Sequence, residues 1–353
     1  MNPFKRFRIS SVPAALALLL SPSILSAATP LPSLGATGKE LTVSGLSSGG
    51  YMAVQYQVSH SGTVKGAGIL AGGPYYCAEG NVSRALANCM AAKSDAPPPG
   101  VAEQKKAIDA AARAGQIDSP ELLAAHRVWL FSGGNDRTVE TAVVNALHAF
   151  YSSILPASSI RYVRLPDSGH ALPSVADKQA NACATSESPF INRCGDLDAP
   201  GDLLAHLLGP LSPRAGKPEG ELMAFDQTPF INGKAIDASL AEDGFVFVPK
   251  ACQAGGCRVH VAFHGCRQSV SEIGRRFVEG AGYNPWASSN RLIVLYPQTV
   301  ARSGAALGSW KFVMNPKGCW DWWGYTGDNY ASREALQVKA VHRMVERLQG
   351  KPD

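Results

Sequence analysis

Gly45-Leu46-Ser47-Ser48-Gly49 sets a serine between two glycines with one residue on either side. In this pattern a serine rides a sharp strand-to-helix turn and presents its hydroxyl. The flanks fit, because Leu41 to Gly45 reads as a short strand and Tyr51 to Ser59 has helical apolar spacing. A serine hydroxyl needs a base to take its proton, and the base needs a carboxylate to hold its ring in the working tautomer. Asp136 follows the strand Arg127 to Ser132 and a Gly-Gly-Asn turn. His170 follows the strand Ile160 to Leu165 in a Ser-Gly-His turn. Nucleophile, acid and base therefore come in the order Ser, Asp, His, each past the end of a strand, which is the chemistry of acyl transfer. Asp136 also suits an N-cap for the helix that follows it. Asp167, three residues from His170, reads as a turn residue. The other histidines are poorer bases: His60, His148, His206 and His342 sit in helical patterns, His126 precedes a strand and His260 alternates within one.

Acyl transfer through a serine also needs donors for the oxyanion. One is the backbone N–H after the nucleophile, here Ser48; the other comes from a turn of the His-Gly type. His264-Gly265-Cys266, at the end of the apolar strand Arg258 to Phe263, supplies such a turn. It lies about 220 residues after Ser47, whereas the usual order puts it before the nucleophile. Moving residues 240 to 349 in front of residue 41 restores that order. Strands Gly244 to Pro249, Arg258 to Phe263 and Arg291 to Pro297, then the amphipathic helix Ser332 to Gln349, lead into strand 41–45. The chain thus reads as a circularly permuted α/β hydrolase with a mostly parallel sheet. Residues 29–353 form one domain whose ends must lie close together, with 240–349 as the oxyanion half. A further strand is expected over Gly66 to Leu70, and helices over 101 to 115 and Thr141 to Ser152. Residues 171 to 240, punctuated by Pro and Gly, read as loop-rich.

The composition agrees with one globular unit: 353 residues, 45% hydrophobic and 17% charged. Lys5, Arg6 and Arg8, the apolar run Val12 to Leu20 and the small residues Ser26-Ala27-Ala28 read as a signal peptide over 1–28. An apolar run of about ten residues is too short to cross a bilayer core of roughly 30 Å, so no membrane insertion is expected after cleavage. Removal of the leader takes the formal charge from +5 to +2. The remainder holds no Lys/Arg run, which argues against nucleic acid as a partner. In an exported chain eight cysteines suggest disulfides. Spacing favours Cys77–Cys89, Cys183–Cys194 and Cys252–Cys257, leaving Cys266 and Cys319 to pair, although spacing alone does not fix connectivity. No Cys-x-x-Cys pair or Cys/His cluster has metal-ligand spacing, so no metal is expected.

Five segments together resemble a known family: GLSSGGYMA around Ser47, SGGNDRTV at the acid turn, SGH at the histidine turn, FHGC at 263–266 and NPKGCWDWWGY at 315–325. They resemble the short-chain polyhydroxyalkanoate depolymerases, the poly(3-hydroxybutyrate) depolymerases of circularly permuted catalytic type. The resemblance implies a secreted or periplasmic serine esterase with a surface crevice and no metal or organic cofactor. It implies Ser47 as nucleophile, Asp136 as orienting acid, His170 as base, and Ser48 and Cys266 as oxyanion donors. It also implies that Trp323 lines a polyester subsite. Trp320, Trp322 and Tyr325 crowd into the same stretch beside Cys319. Aromatic surface suits an apolar polyester chain, although two of these tryptophans also suit a core. No linker or separate polymer-binding module is legible, which favours amorphous polymer or oligomers as substrate. Nothing in the pattern demands more than a monomer. The alternatives are a feruloyl or acetyl-xylan esterase and a non-catalytic exported polymer-binding protein.

Overall fold

The computed structural model describes residues 29–305, 310 and 312–351; the leader expected over 1–28 lies outside them. Among the described residues eight strands build the main sheet; its inner strands are buried on both faces, as strands covered by helices must be, and its two edge strands are partly exposed. The eight are β1 (Leu41–Leu46), β2 (Val64–Leu70), β3 (Arg127–Gly133), β4 (Ile160–Leu165), β5 (Gly220–Asp226), β6 (Asp243–Pro249), β7 (Arg258–Phe263) and β8 (Leu292–Tyr296). Across the sheet the order is β4-β3-β2-β1-β7-β8-β6-β5. From β4 to β8 every pairing is parallel, and β6 and β5 add an antiparallel edge. Strand β1, which leads into Ser47, therefore lies against β7, which ends at the His264-Gly265-Cys266 turn, although more than two hundred residues separate them.

Helix α1 (Ser48–Ser59) leaves β1 at Ser47 and packs on β1, β2 and β7. It is followed by α2 (Val101–Arg113), α3 (Thr141–Ser152), α4 (Ala199–Leu208) and α5 (Leu336–Gln349). In α5 the residues Val338, Val341, Met344 and Leu348 are buried, as their spacing predicts. It begins four residues later than expected, because Ser332 closes a turn on Asn329 and Ala335 is the N-cap. Strand β8 begins one residue late because Arg291 takes φ 51°, a left-handed conformation.

The loop-rich stretch 171–240 also holds elements that its Pro and Gly punctuation hid. That stretch contains α4, β5 and three short strands, Leu172–Pro173, Asn181–Ala182 and Ile191–Arg193. Pro200 falls at the start of α4, where a missing N–H costs nothing, so a residue read as a breaker is a start signal. Strand β5 is an edge that pairs along its length with β6, with a single bridge to Thr29 besides, and stays partly exposed, which blurs its alternation.

Residues 34–36 run beside residues 348–350, while Thr29 bridges to Phe225 on the edge strand. Leu34 and Ala36 donate their N–H groups to the Leu348 carbonyl at 3.2 and 2.9 Å, and Gly35 donates to Gly350 at 2.7 Å. All four disulfides join the pairs that the spacing favours. Among the described residues no helix is long and apolar enough to cross a membrane.

Candidate active site

Ser47 sits between β1 and α1 with φ 57° and ψ −122°. A non-glycine residue there stores strain, as a nucleophile elbow does. Its neighbours keep the turn tight. A Cβ on Gly45 would lie 2.2 Å from the Gly49 carbonyl oxygen, and one on Gly49 would lie 2.5 Å from the carbonyls of Phe263 and His264. Only glycine permits that contact between the elbow and the end of β7. The Ser47 N–H donates to Leu70 at 2.8 Å, and its carbonyl accepts from Tyr51 at 3.0 Å.

His170 Nδ1 lies 2.7 Å from Asp136 Oδ2, with both side chains buried. The other carboxylate oxygen accepts the N–H groups of Thr138 and Val139 at 2.8 and 2.9 Å. Asp136 thus pins its own turn and holds the imidazole at once, while Glu140, not Asp136, is the N-cap of α3. Asp167 is exposed on its turn. The histidine loop is fixed by Ser186, whose hydroxyl accepts the His170 N–H at 2.8 Å, and by the Gly169 N–H donating to Cys183 at 2.9 Å. Cys183 is itself tied to Cys194.

On the other side of Ser47 lies the His264-Gly265-Cys266 turn; a Cβ on Gly265 would be 3.5 Å from that of Ser47. Both faces of this turn are held. Gly265 N–H donates to Gln268 Oε1 at 2.6 Å, and Gly265 carbonyl accepts from His264 Nδ1 at 2.7 Å. The tautomer follows from the other ring nitrogen, which accepts the Thr299 N–H at 3.2 Å. Burial lowers the His264 pKa to about 4, so the ring is neutral near pH 7. In a trans peptide the N–H points away from its carbonyl, so pinning the Gly265 carbonyl also aims the Cys266 N–H. Among the described residues neither the Ser48 nor the Cys266 N–H has an acceptor. Two backbone donors beside the serine hydroxyl are what a developing oxyanion requires.

Ser47, His170, Cys266, Trp322, Trp323 and Tyr325 share one cleft of about 780 Å³. Its aromatic wall hangs on the Cys266–Cys319 disulfide and on the buried carboxylate of Asp321. One Asp321 oxygen accepts the N–H groups of Trp323, Gly324 and Tyr325, and the other accepts the N–H and hydroxyl of Thr326 at 2.7 and 2.6 Å. Burial raises this carboxyl above its ordinary pKa, against the pull of those donors. Trp322 stacks on Tyr51 with centroids 4.2 Å apart, and Trp323 leans on Tyr325 at 4.9 Å.

Trp320 departs from the expectation that it touches substrate. It is fully buried, does not line the cleft, and packs against Phe263 and His264 at 5.0 and 5.6 Å. The disulfide at Cys319 draws the next residue inward against β7, and the Trp320 N–H meets Ser48 Oγ at 3.3 Å. Sequence reading also missed Gln268, which carries no motif, and the anchoring role of Asp321 within the NPKGCWDWWGY segment. It missed the cleft mouth as well, where Val82, Leu86, Phe312 and Met314 are each more than half exposed. The Cys77–Cys89 bridge brackets the segment bearing the first two, a signal that was available.

No family model matches the chain. A poly(3-hydroxybutyrate) depolymerase of Delftia acidovorans is 40% identical over 351 residues, covering 98% of this chain; the chain spans 66% of that relative's length. A polyhydroxybutyrate depolymerase of Talaromyces funiculosus is 34% identical over 328 residues, covering 91% of this chain and 93% of the relative. The crystal structure of PHB depolymerase from Penicillium funiculosum superposes with a TM-score of 0.81 at 33% identity, covering 91% of this chain and 99% of that one. A serine-to-alanine PHB depolymerase complexed with an R3HB trimer matches with the same TM-score and coverage at 32% identity. With an α/β sheet of the same form and a relative more than 30% identical along nearly its whole length, the chain belongs to the polyhydroxybutyrate depolymerase family of ester hydrolases.

Proposed function

We propose that this protein hydrolyses ester bonds of poly(3-hydroxybutyrate) or its oligomers through an acyl-enzyme on Ser47. His170 takes the Ser47 proton as Oγ bonds to the ester carbonyl carbon. The oxyanion lies between the N–H groups of Ser48 and Cys266. The carbon–oxygen bond to the alcohol then breaks, and His170 returns the proton to the departing oxygen. A water molecule, deprotonated by His170, attacks the acyl-enzyme and releases a 3-hydroxybutyryl acid while Ser47 regains its proton. Asp136 keeps the imidazole in the tautomer that leaves Nε2 free to accept.

The observation that carries this reading is the Asp136–His170 contact of 2.7 Å opening onto the same cleft as the strained Ser47. The wall of Trp322, Trp323 and Tyr325 supports a polyester chain as ligand, as does the relative solved with an R3HB trimer. Residues 29–353 act as one catalytic unit, exported behind a leader over 1–28; four disulfides support an oxidising destination. The sheet order and the adjacent chain ends support a permuted α/β hydrolase with residues 240–349 as its oxyanion half.

The test is a clearing assay on amorphous and crystalline poly(3-hydroxybutyrate) with the parent and Ser47→Ala, quantifying released 3-hydroxybutyrate. Clearing by the parent alone is expected. Ser47-dependent turnover of feruloyl or acetyl-sugar esters with no release from either polymer would hand the substrate to the cell-wall esterase reading.

A further inference from the structure

Among the described residues, the cleft that holds Ser47 is lined by two cations, Arg267 and Lys317, and by no carboxylate. Arg267 and Lys317 both face it and both are exposed, while Asp136 stays buried behind the imidazole. Among the described residues neither cation has a carboxylate within ion-pair distance. Their stems are stitched together. The Arg267 N–H donates to the Lys317 carbonyl at 2.8 Å, and the adjoining Cys266 and Cys319 form a disulfide. Arg267 takes φ 59°, a left-handed conformation that strains a non-glycine residue. Gly318, beside Lys317, takes φ 55°, and a Cβ there would lie 3.1 Å from the Ala301 nitrogen. A strained arginine therefore follows the Cys266 oxyanion donor directly, with a lysine held alongside.

A polyester of hydroxyacids is uncharged along its length, and its one charge near pH 7 is the carboxylate at its end. Cations in an otherwise apolar cleft have that single feature of the substrate to recognise. We propose that Arg267 and Lys317 form a subsite for the terminal carboxylate of a short 3-hydroxyacyl oligomer, so that the cleft works preferentially near that end of a chain. The inference rests on the polyester-hydrolase reading above and deepens it: it names the oligomer end, rather than the polymer interior, as the favoured point of attack.

The experiment compares kcat/KM for the 3-hydroxybutyrate trimer as free acid and as methyl ester. The parent favours the free acid by about five- to tenfold, as expected for exposed charge pairs. The preference narrows as salt rises from about 0.05 to about 0.5 M. In Arg267→Gln/Lys317→Gln the acid-to-ester ratio falls to near one, whereas Arg267→Lys keeps most of it. The ratio is its own control for folding, since a loss of folded protein scales both rates alike. A parent with no acid preference, or a ratio unchanged in the double variant, overturns the subsite. Turnover of neither trimer, with Ser47-dependent hydrolysis of p-nitrophenyl acetate retained, overturns the polyester reading and the subsite with it.

Discussion

The side-chain oxygen of Gln268 lies 2.6 Å from the Gly265 nitrogen, while the amide nitrogen of the same side chain donates to Pro189 at 2.8 Å and Phe190 at 3.2 Å. Phe190 meets the His170 ring edge-on at 6.3 Å. One buried amide thus couples the oxyanion turn to the segment that backs the base. Gln268→Leu strips the Gly265 N–H of its partner, at a cost of about 1–3 kcal/mol in stability. It also loosens the turn on which the Cys266 N–H rides, although His264 still holds the Gly265 carbonyl, and kcat is expected to fall up to about tenfold with a smaller change in KM. Steady-state kinetics on a soluble ester checks this; a change confined to KM would remove Gln268 from oxyanion positioning.

Asp136→Asn keeps an oxygen for the N–H groups of Thr138 and Val139 but turns an NH₂ toward His170 Nδ1. The imidazole must then place its proton on Nε2, where it cannot accept from Ser47. The fold should survive while kcat falls by about three to four orders of magnitude. Wild-type turnover in this variant would pass the orienting role to another carboxylate, with Asp167 first to be tried.

His260 and His264 are fully buried, and burial holds their pKa values near about 3 and about 4. Both lie below the value near 6.5 expected for the unfolded chain, so unfolding takes up protons once the pH drops below that value. Their contribution is complete above about pH 6.5 and is lost as the pH falls toward 4. At pH 5 it has shrunk by about 2 kcal/mol per ring. Denaturant titrations at pH 7 and pH 5 should differ by about 4 kcal/mol from these two rings, more with His60 and His126, which burial depresses as well. Equal stability at the two values would mean that the rings are charged in the fold.

The Cys266–Cys319 bridge closes a separation of 53 residues, for which chain entropy gives about 4 kcal/mol at 25 °C. Cys266→Ala/Cys319→Ala retains the backbone donor at residue 266 but unties the aromatic wall. The thermal midpoint should drop by several degrees, and KM for the trimer should rise more than kcat for a small acetate ester falls. An unchanged midpoint in calorimetry argues that the loop is held by Asp321 alone.

Much of the site was legible because the roles proposed for Ser47, Asp136 and His170 constrain both residue type and position at a strand end. Glycines 45 and 49 belong to the motif for a reason that the backbone contacts make plain. The cysteine pairs were legible because three are close in sequence and the fourth follows by elimination. What stayed hidden has no local signature. Gln268 and Asp321 act through tertiary hydrogen bonds to chain far from them in sequence or to a loop of irregular shape. Trp320 and Trp323 have the same composition on paper, and only the tether at Cys319 decides which faces the core. Strand β5 was missed because an edge strand with one partner need not alternate cleanly.

The side-by-side ends near residues 35 and 349 lie where β1 begins, for Thr37 already donates its N–H to the Cys257 carbonyl just before β7, whereas Ser47 lies past the far end of β1. Six residues of strand put roughly 20 Å of sheet between that corner and the hydroxyl. A module fused after residue 349 would leave from that corner, behind the cleft, whereas residue 29 lies beside Phe225 on the far edge strand. A flexible tether reaches an average span of about 40 Å only at roughly 50 residues. A shorter leash would hold the enzyme against a polymer film with its mouth turned outward, so that adhesion and turnover would compete instead of reinforcing each other.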